Sequence, residues 1–217
     1  MRRFRIFLIF LFFCFVSLGS GCSVFIPPKK DISKFYTFRS YGSPEKVSDS
    51  SNHKQMIINL TVGEIPSYAD YPYIVTISTH NRLVLSEINR WAEPLQDACA
   101  RTLTNELSKL MCDYALIIPS SCTKGNSFLY DYVLSIGLSD FIYDEEEKKV
   151  TLECVWSLIN FATKSQVLIH EYKKSTPSSF SDGSYKDIVD TMELALYELA
   201  QDIAAKVGQI FPETELK

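Results

Sequence analysis

Three consecutive stretches of two-residue alternation constrain this chain more than any other feature: Leu129 to Tyr143, Lys149 to Asn160 and Gln166 to Lys174. Successive side chains of a strand point to opposite faces, so each stretch specifies a strand with one apolar side. Tyr132, Leu134, Ile136 and Leu138 share one side, while Ser135, Gly137 and Ser139 share the other. Leu152, Cys154, Trp156 and Leu158 likewise oppose Thr151, Glu153 and Ser157. Short polar connections join the three as a meander. Such a sheet is expected to carry helices on its apolar side and to face water or a partner on the other.

Two helices are available to cover it. Leu95, Ala98, Cys99, Leu103, Leu107, Leu110 and Met111 recur at spacings of three and four and mark one apolar stripe. Pro94 suits only an opening turn, which places the start of this helix between Arg90 and Glu93. The second begins at Ser184, with Asp187 three residues on as a capping pair. Its stripe runs through Tyr185, Ile188, Met192, Ala195, Leu199, Ile203, Val207 and Ile210 to Phe211, where Pro212 ends it. At ~1.5 Å per residue it is ~40 Å long, enough to cross a sheet. Further strands are expected at Gln55 to Val62, at Ile74 to Ser78 and Arg82 to Leu85 flanking a His80-Asn81 turn, and at Tyr114 to Ile118 before Pro119. The expected fold is α/β: a single domain with a mixed, mostly antiparallel sheet and two long helices packed on one face. A three-layer α/β/α arrangement is the alternative.

The chain start is of a different kind. Arg2, Arg3 and Arg5 precede an apolar run from Ile6 to Val16, followed by Ser17, Gly19, Ser20 and Gly21. This is the layout of a secretory signal peptide, and the run is too short for the ~20 apolar residues of a membrane span. Leu18-Gly19-Ser20-Gly21-Cys22 resembles the lipobox of bacterial lipoproteins, with its aliphatic residue one step further from the Cys than usual. The resemblance implies cleavage after residue 21 and an acyl lipid on Cys22, which two or more chains would hold stably on a membrane. Ser23 resembles the outer-membrane sorting residue, implying the periplasmic face of the outer membrane of a Gram-negative envelope. Residues 22–34, with Pro27-Pro28-Lys29-Lys30, read as a lipidated tether. Residues 35–217 then form the single folded domain, with a polar surface loop from Arg39 to Lys54.

Chemistry-bearing constellations are sparse. Removing three Arg and no acid with the leader takes the formal charge from −4 to −7, which argues against nucleic acid as a partner. The three His, His53, His80 and His170, form no ligand spacing, so no metal site and no catalytic residue are expected. Cys99, Cys112, Cys122 and Cys154 show no C-x-x-C spacing; they are buried thiols or disulfide partners in an unspecified pairing. The Asp144 to Lys149 charge run lacks the spaced ligands of a calcium loop and reads as a solvated strand connection.

One stretch is distinctive: Ile65-Pro66-Ser67-Tyr68-Ala69-Asp70-Tyr71-Pro72-Tyr73, then Asn81-Arg82-Leu83, then Arg90-Trp91-Ala92-Glu93-Pro94-Leu95. With Phe35-Tyr36-Thr37-Phe38 and Ala195-Leu196-Tyr197-Glu198-Leu199-Ala200, it resembles the PqiC-like family of auxiliary lipoproteins of ABC-type and MCE-type transport systems. Tyr71 stands where many relatives carry an Arg. The resemblance implies a fold similar to the TolB amino-terminal domain. It also implies a non-catalytic envelope component working with an MCE-domain protein and an inner-membrane transport component to move lipids between membranes. No cofactor is expected beyond the acyl lipid on Cys22. Pro66, Tyr68, Arg90, Trp91 and Glu93 are the candidate docking residues, with packing of Trp91 in the core as the competing role. Self-association is a further expectation. A periplasmic lipid-binding carrier is the second functional reading, and an envelope hydrolase the third.

Overall fold

In a computed structural model, β6 (Tyr132–Asp144), β7 (Lys149–Asn160) and β8 (Gln166–Pro177) form the antiparallel meander that the alternation specifies. The described residues are 31–39, 55–123, 130–179 and 183–211. Leu134, Ile136 and Leu138 stand opposite Leu158, Trp156 and Cys154, and all six are buried. A one-residue slip would turn this whole set to the other face, so burial fixes the register. The acidic run forms the β6–β7 connection: Asp144 Oδ1 accepts the Glu146 and Glu147 N–H groups at 2.8 and 2.9 Å, and Lys148 takes a positive φ of 49° to close the turn.

The other edge of β6 forks. β2 (Met56–Val62) runs parallel to the first half of β6, and β5 (Ala115–Pro119) runs parallel to β2. β3 (Tyr73–Ser78) meets β6 only at Tyr143 and Asp144. From β3 hang β4 (Arg82–Trp91), antiparallel, and β1 (Lys34–Tyr36), parallel to β4. One eight-stranded sheet results. A register shift between Leu138 and Asp140 lies at the fork; beyond it Phe141 and Tyr143 point to the main core. Inserting a residue re-aims the strand, which lets one strand serve two partners along one edge. In the turn between β3 and β4, His80 and Asn81 have φ of 61° and 59°, and the Arg82 N–H bonds the Thr79 carbonyl. Two adjacent positive φ values are the requirement of the hairpin turn whose twist matches its strands.

α1 (Leu95–Leu110) and α3 (Tyr185–Ile210) pack side by side on one face of the sheet, and the short α2 (Ser120–Thr123) follows β5. Residues of both long helices share one core with Leu134, Ile136 and Trp156. Among the described residues the architecture is therefore the two-layer one, not α/β/α. Ser184 caps α3, its Oγ accepting the Asp187 N–H at 3.3 Å. The α1 stripe is buried as expected except at Leu110, which is 36% exposed beside the helix end.

Several expectations are corrected. α1 starts at Leu95, not between Arg90 and Glu93: Pro94 has ψ of 134° and stands before the helix, while Arg90 and Trp91 belong to β4. The reason is tertiary, since Trp91 pairs with Tyr36 and its N–H bonds the Pro72 carbonyl at 2.9 Å. β4 accordingly runs six residues past Leu85. Neither β1 nor α2 is marked by a periodic pattern. The leader, Cys14, Cys22, most of the tether, His53 and residues 40–54 of the expected loop lie outside the described residues. The described residues from Ser33 onward belong to one compact unit.

Candidate functional site

The proline-tyrosine segment connects β2 to β3 across the fork. A turn in which the Pro66 carbonyl accepts the Ala69 N–H at 2.8 Å bends it. Tyr68 is thereby brought over β6, where its hydroxyl donates to the Asp140 carboxylate and accepts the Phe141 N–H at 3.2 Å. Burial, and then the Asp140 hydrogen bond, push this phenol above its ordinary pKa, so it remains a neutral donor. Asp140 lies in one row with Glu153 and Lys173, and the last two form an ion pair.

The Arg90 to Leu95 run forms a corner whose members do different work. Trp91 is buried and stacks obliquely on Phe38, with ring centroids 5.1 Å apart and planes inclined at 55°. Arg90, one residue earlier, lies on the other side of the strand; its guanidinium sits 5.2 Å over the Tyr73 ring and its Nε donates to the Glu87 carbonyl at 3.3 Å. Glu93 accepts the Thr37 hydroxyl at 2.7 Å and Arg101 at 2.5 Å. Arg101 also donates to Thr37 Oγ1 at 2.8 Å and to the Phe38 carbonyl at 3.2 Å. The arrangement clamps the chain leaving β1 onto α1. Hydrogen bonding to Arg101 holds the Glu93 carboxyl below the usual carboxylate range.

Tyr68 and Trp91 thus meet, with Tyr73 and Phe141, around a cavity of about 10 Å³, whereas Arg90 and Glu93 stay outside it. That is space for roughly one water and far below the ~300 Å³ of a small-molecule pocket. Among the described residues no three His, Cys, Asp or Glu side chains cluster as metal ligands. His80 sits exposed in the hairpin turn, and His170 Nε2 lies 3.6 Å from Asp202 on α3. None of the four described cysteines is in a disulfide: Cys99 and Cys154 are buried, Cys112 and Cys122 exposed. Burial pushes the Cys154 thiol up to about 12, so it is inert at neutral pH.

Among the described residues, the face of the meander away from the helices is uncovered. Its rows read Ser135, Ser157 and Ile169, then Gly137, Val155 and Glu171. Ile169 is 57% exposed and Val155 45%, so apolar groups stand beside low, small side chains. This patch carries a trace in the sequence, because Val155 interrupts the polar series Thr151, Glu153, Ser157. The Arg101 clamp does not, since Arg101 is one charge among many on a helix surface.

Solved structures share the fold. One uncharacterised protein is 14% identical with a TM-score of 0.63, over 81% of this chain and 98% of that one. A DUF330 protein from Xanthomonas campestris is 15% identical with a TM-score of 0.63, over 85% of this chain and all of that one (100%). No curated protein matches the chain. No helix among the described residues is long and apolar enough to cross a membrane. Residues 36–204, which take in the proline-tyrosine segment, the Arg90 to Leu95 corner and most of α3, match a single family along their length. With that match and the shared fold, the chain belongs to the family of ABC-type transport auxiliary lipoprotein components.

Proposed function

We propose that this protein is a non-catalytic adaptor of an MCE/ABC-type intermembrane lipid transport system, held at the periplasmic face of the outer membrane by an acylated Cys22. The uncovered face of the meander docks a periplasmic MCE-domain protein, which in turn engages the inner-membrane component. Arg90 lies on the side of β4 away from Trp91, and the Tyr68 hydroxyl, carried by the turn at Pro66, reaches Asp140 in the row of Glu153 and Lys173. Trp91 and Glu93 hold the corner in shape. The observation that carries this reading is the exposure of Val155 and Ile169 on a sheet whose opposite face is filled by two helices. Contiguous exposed apolar groups on a well-packed domain mark an interaction surface.

The cavity at the fork is too small for an acyl chain and so gives the carrier reading no support. The test is recovery of the tagged lipoprotein from crosslinked envelopes. An MCE protein should come with the native chain and be lost with Val155→Asp or Ile169→Asp at unchanged stability. Recovery of no transport component overturns the adaptor. Mass spectrometry of the natural product checks the anchor: an unmodified thiol on Cys22, or an uncleaved leader, removes it.

A further inference from the structure

We infer that the β3–β4 hairpin, with Phe35 beside it, is a second membrane contact that rests on the bilayer surface. This rests on the lipid anchor at Cys22 proposed above. Four large apolar side chains are exposed on these strands: Phe35 (62%), Leu85 (45%), Leu83 and Ile88 (each 40%). Three of them share the side of these strands away from Ile74 and Thr76. Phe35 lies level with Arg90 and Tyr73, Leu85 with Val75, and Leu83 with Ile77, along strands whose alternate residues Ile74 and Thr76 are fully buried. Ile88 lies where the ladder is interrupted between Leu85 and Arg90, with the Asn89 N–H bonded to Ser86 Oγ at 3.0 Å.

Strand polarity says what covers this patch. β1 is parallel to β4, and its first residue, Lys34, pairs with Asn89. The start of β1 therefore faces the end of β4 that carries the hairpin turn, and the hairpin projects past it by seven residues, at most ~23 Å. Lys34 lies twelve residues after Cys22, a length that spans at most ~40 Å. An anchored domain thus keeps its hairpin within reach of the lipid, on the side from which its tether arrives. Apolar groups lodged at the headgroup boundary are how surface-bound elements hold to lipid.

The test uses the full mature chain, lipid attached, on phosphatidylethanolamine–phosphatidylglycerol vesicles with plain or brominated acyl chains, which quench tryptophan only on close approach. Leu85→Trp is the reporter, Leu83→Trp its duplicate and Ile169→Trp on β8 the reference, each read over the background of Trp91 and Trp156. Emission from position 85 or 83 should fall about twofold in brominated vesicles, as expected for side chains buried ~5–10 Å into the interface, with little change at position 169. Protein that floats with the vesicles but shows no quenching at 83 and 85, or equal quenching at 169, overturns the hairpin contact and leaves the anchor intact. Blue-shifted emission without bromine quenching assigns the patch to a second copy of the chain and also overturns it. Failure to float removes the anchor and this contact together.

Discussion

Val155 and Trp156 are neighbours in β7, yet one is nearly half exposed and the other has no exposed surface. The difference is that between two faces of one sheet: Trp156 lies under α3 with Leu134 and Ile136, and Val155 lies in a row with Gly137 on the side away from the helices. What the contrast teaches is a division of labour. The covered face supplies the free energy of folding, so the uncovered one can keep apolar groups for binding without being needed for stability.

The largest expected effect probes the covered face. Trp156→Ala should destabilise the domain by about 3–5 kcal/mol in urea denaturation, because it leaves a cavity that two helices and a sheet cannot collapse to fill. A value like that of a surface site would break the contrast. Next come the devices that hold the covering layer in place. Ser184→Ala removes the acceptor of the Asp187 N–H and should cost about 1 kcal/mol in thermal or urea melts. Arg101→Ala should cost about as much, because the side chain is 41% exposed and the strength of its pair with Glu93 is screened by solvent. The smallest effect belongs to the uncovered face: Val155→Ser should change stability by less than about 0.5 kcal/mol while lowering crosslinking to the transport partner.

Two buried or half-buried carboxyls sharpen the picture through pH. The carboxyl of Glu93 is lowered by Arg101, so its folded pKa lies below its unfolded one. The stabilisation it gives is fully present above the ordinary Glu value of ~4.3 and is lost as pH falls through the lower folded value. Glu93→Gln should flatten that acid limb of the stability curve. Glu193 on α3 behaves oppositely. Burial raises its carboxyl, though its Oε2 accepts the Arg39 N–H at 2.8 Å. Stability therefore declines as pH rises from the ordinary carboxylate value through the raised one, and Glu193→Gln, which keeps an acceptor, should remove the decline.

Local pattern made much of the fold legible. β7 begins and ends where its alternation does, and α3 begins one residue after its Ser184 cap. The His80-Asn81 turn was readable because its conformation depends on four consecutive residues. Legibility failed where partners are distant. Trp91 looked like the opening of a helix because Pro94 follows it closely, but Tyr36 and the Pro72 carbonyl hold it in a strand. Nothing near Glu93 in the sequence marks Thr37 and Arg101 as the partners of its carboxylate. Three-residue β1 has too few positions to show a period at all.

The sequence by itself determined the apolar face of the meander, the two helical stripes and the family, because periodicity and short motifs are properties of neighbours along the chain. Only the tertiary structure decided the fork at β6, the place of β1 beside β4 and the exposure of one apolar patch rather than another. Those outcomes depend on which backbone edges remain unpaired after the longest ladders have formed, and that choice is made between segments tens of residues apart.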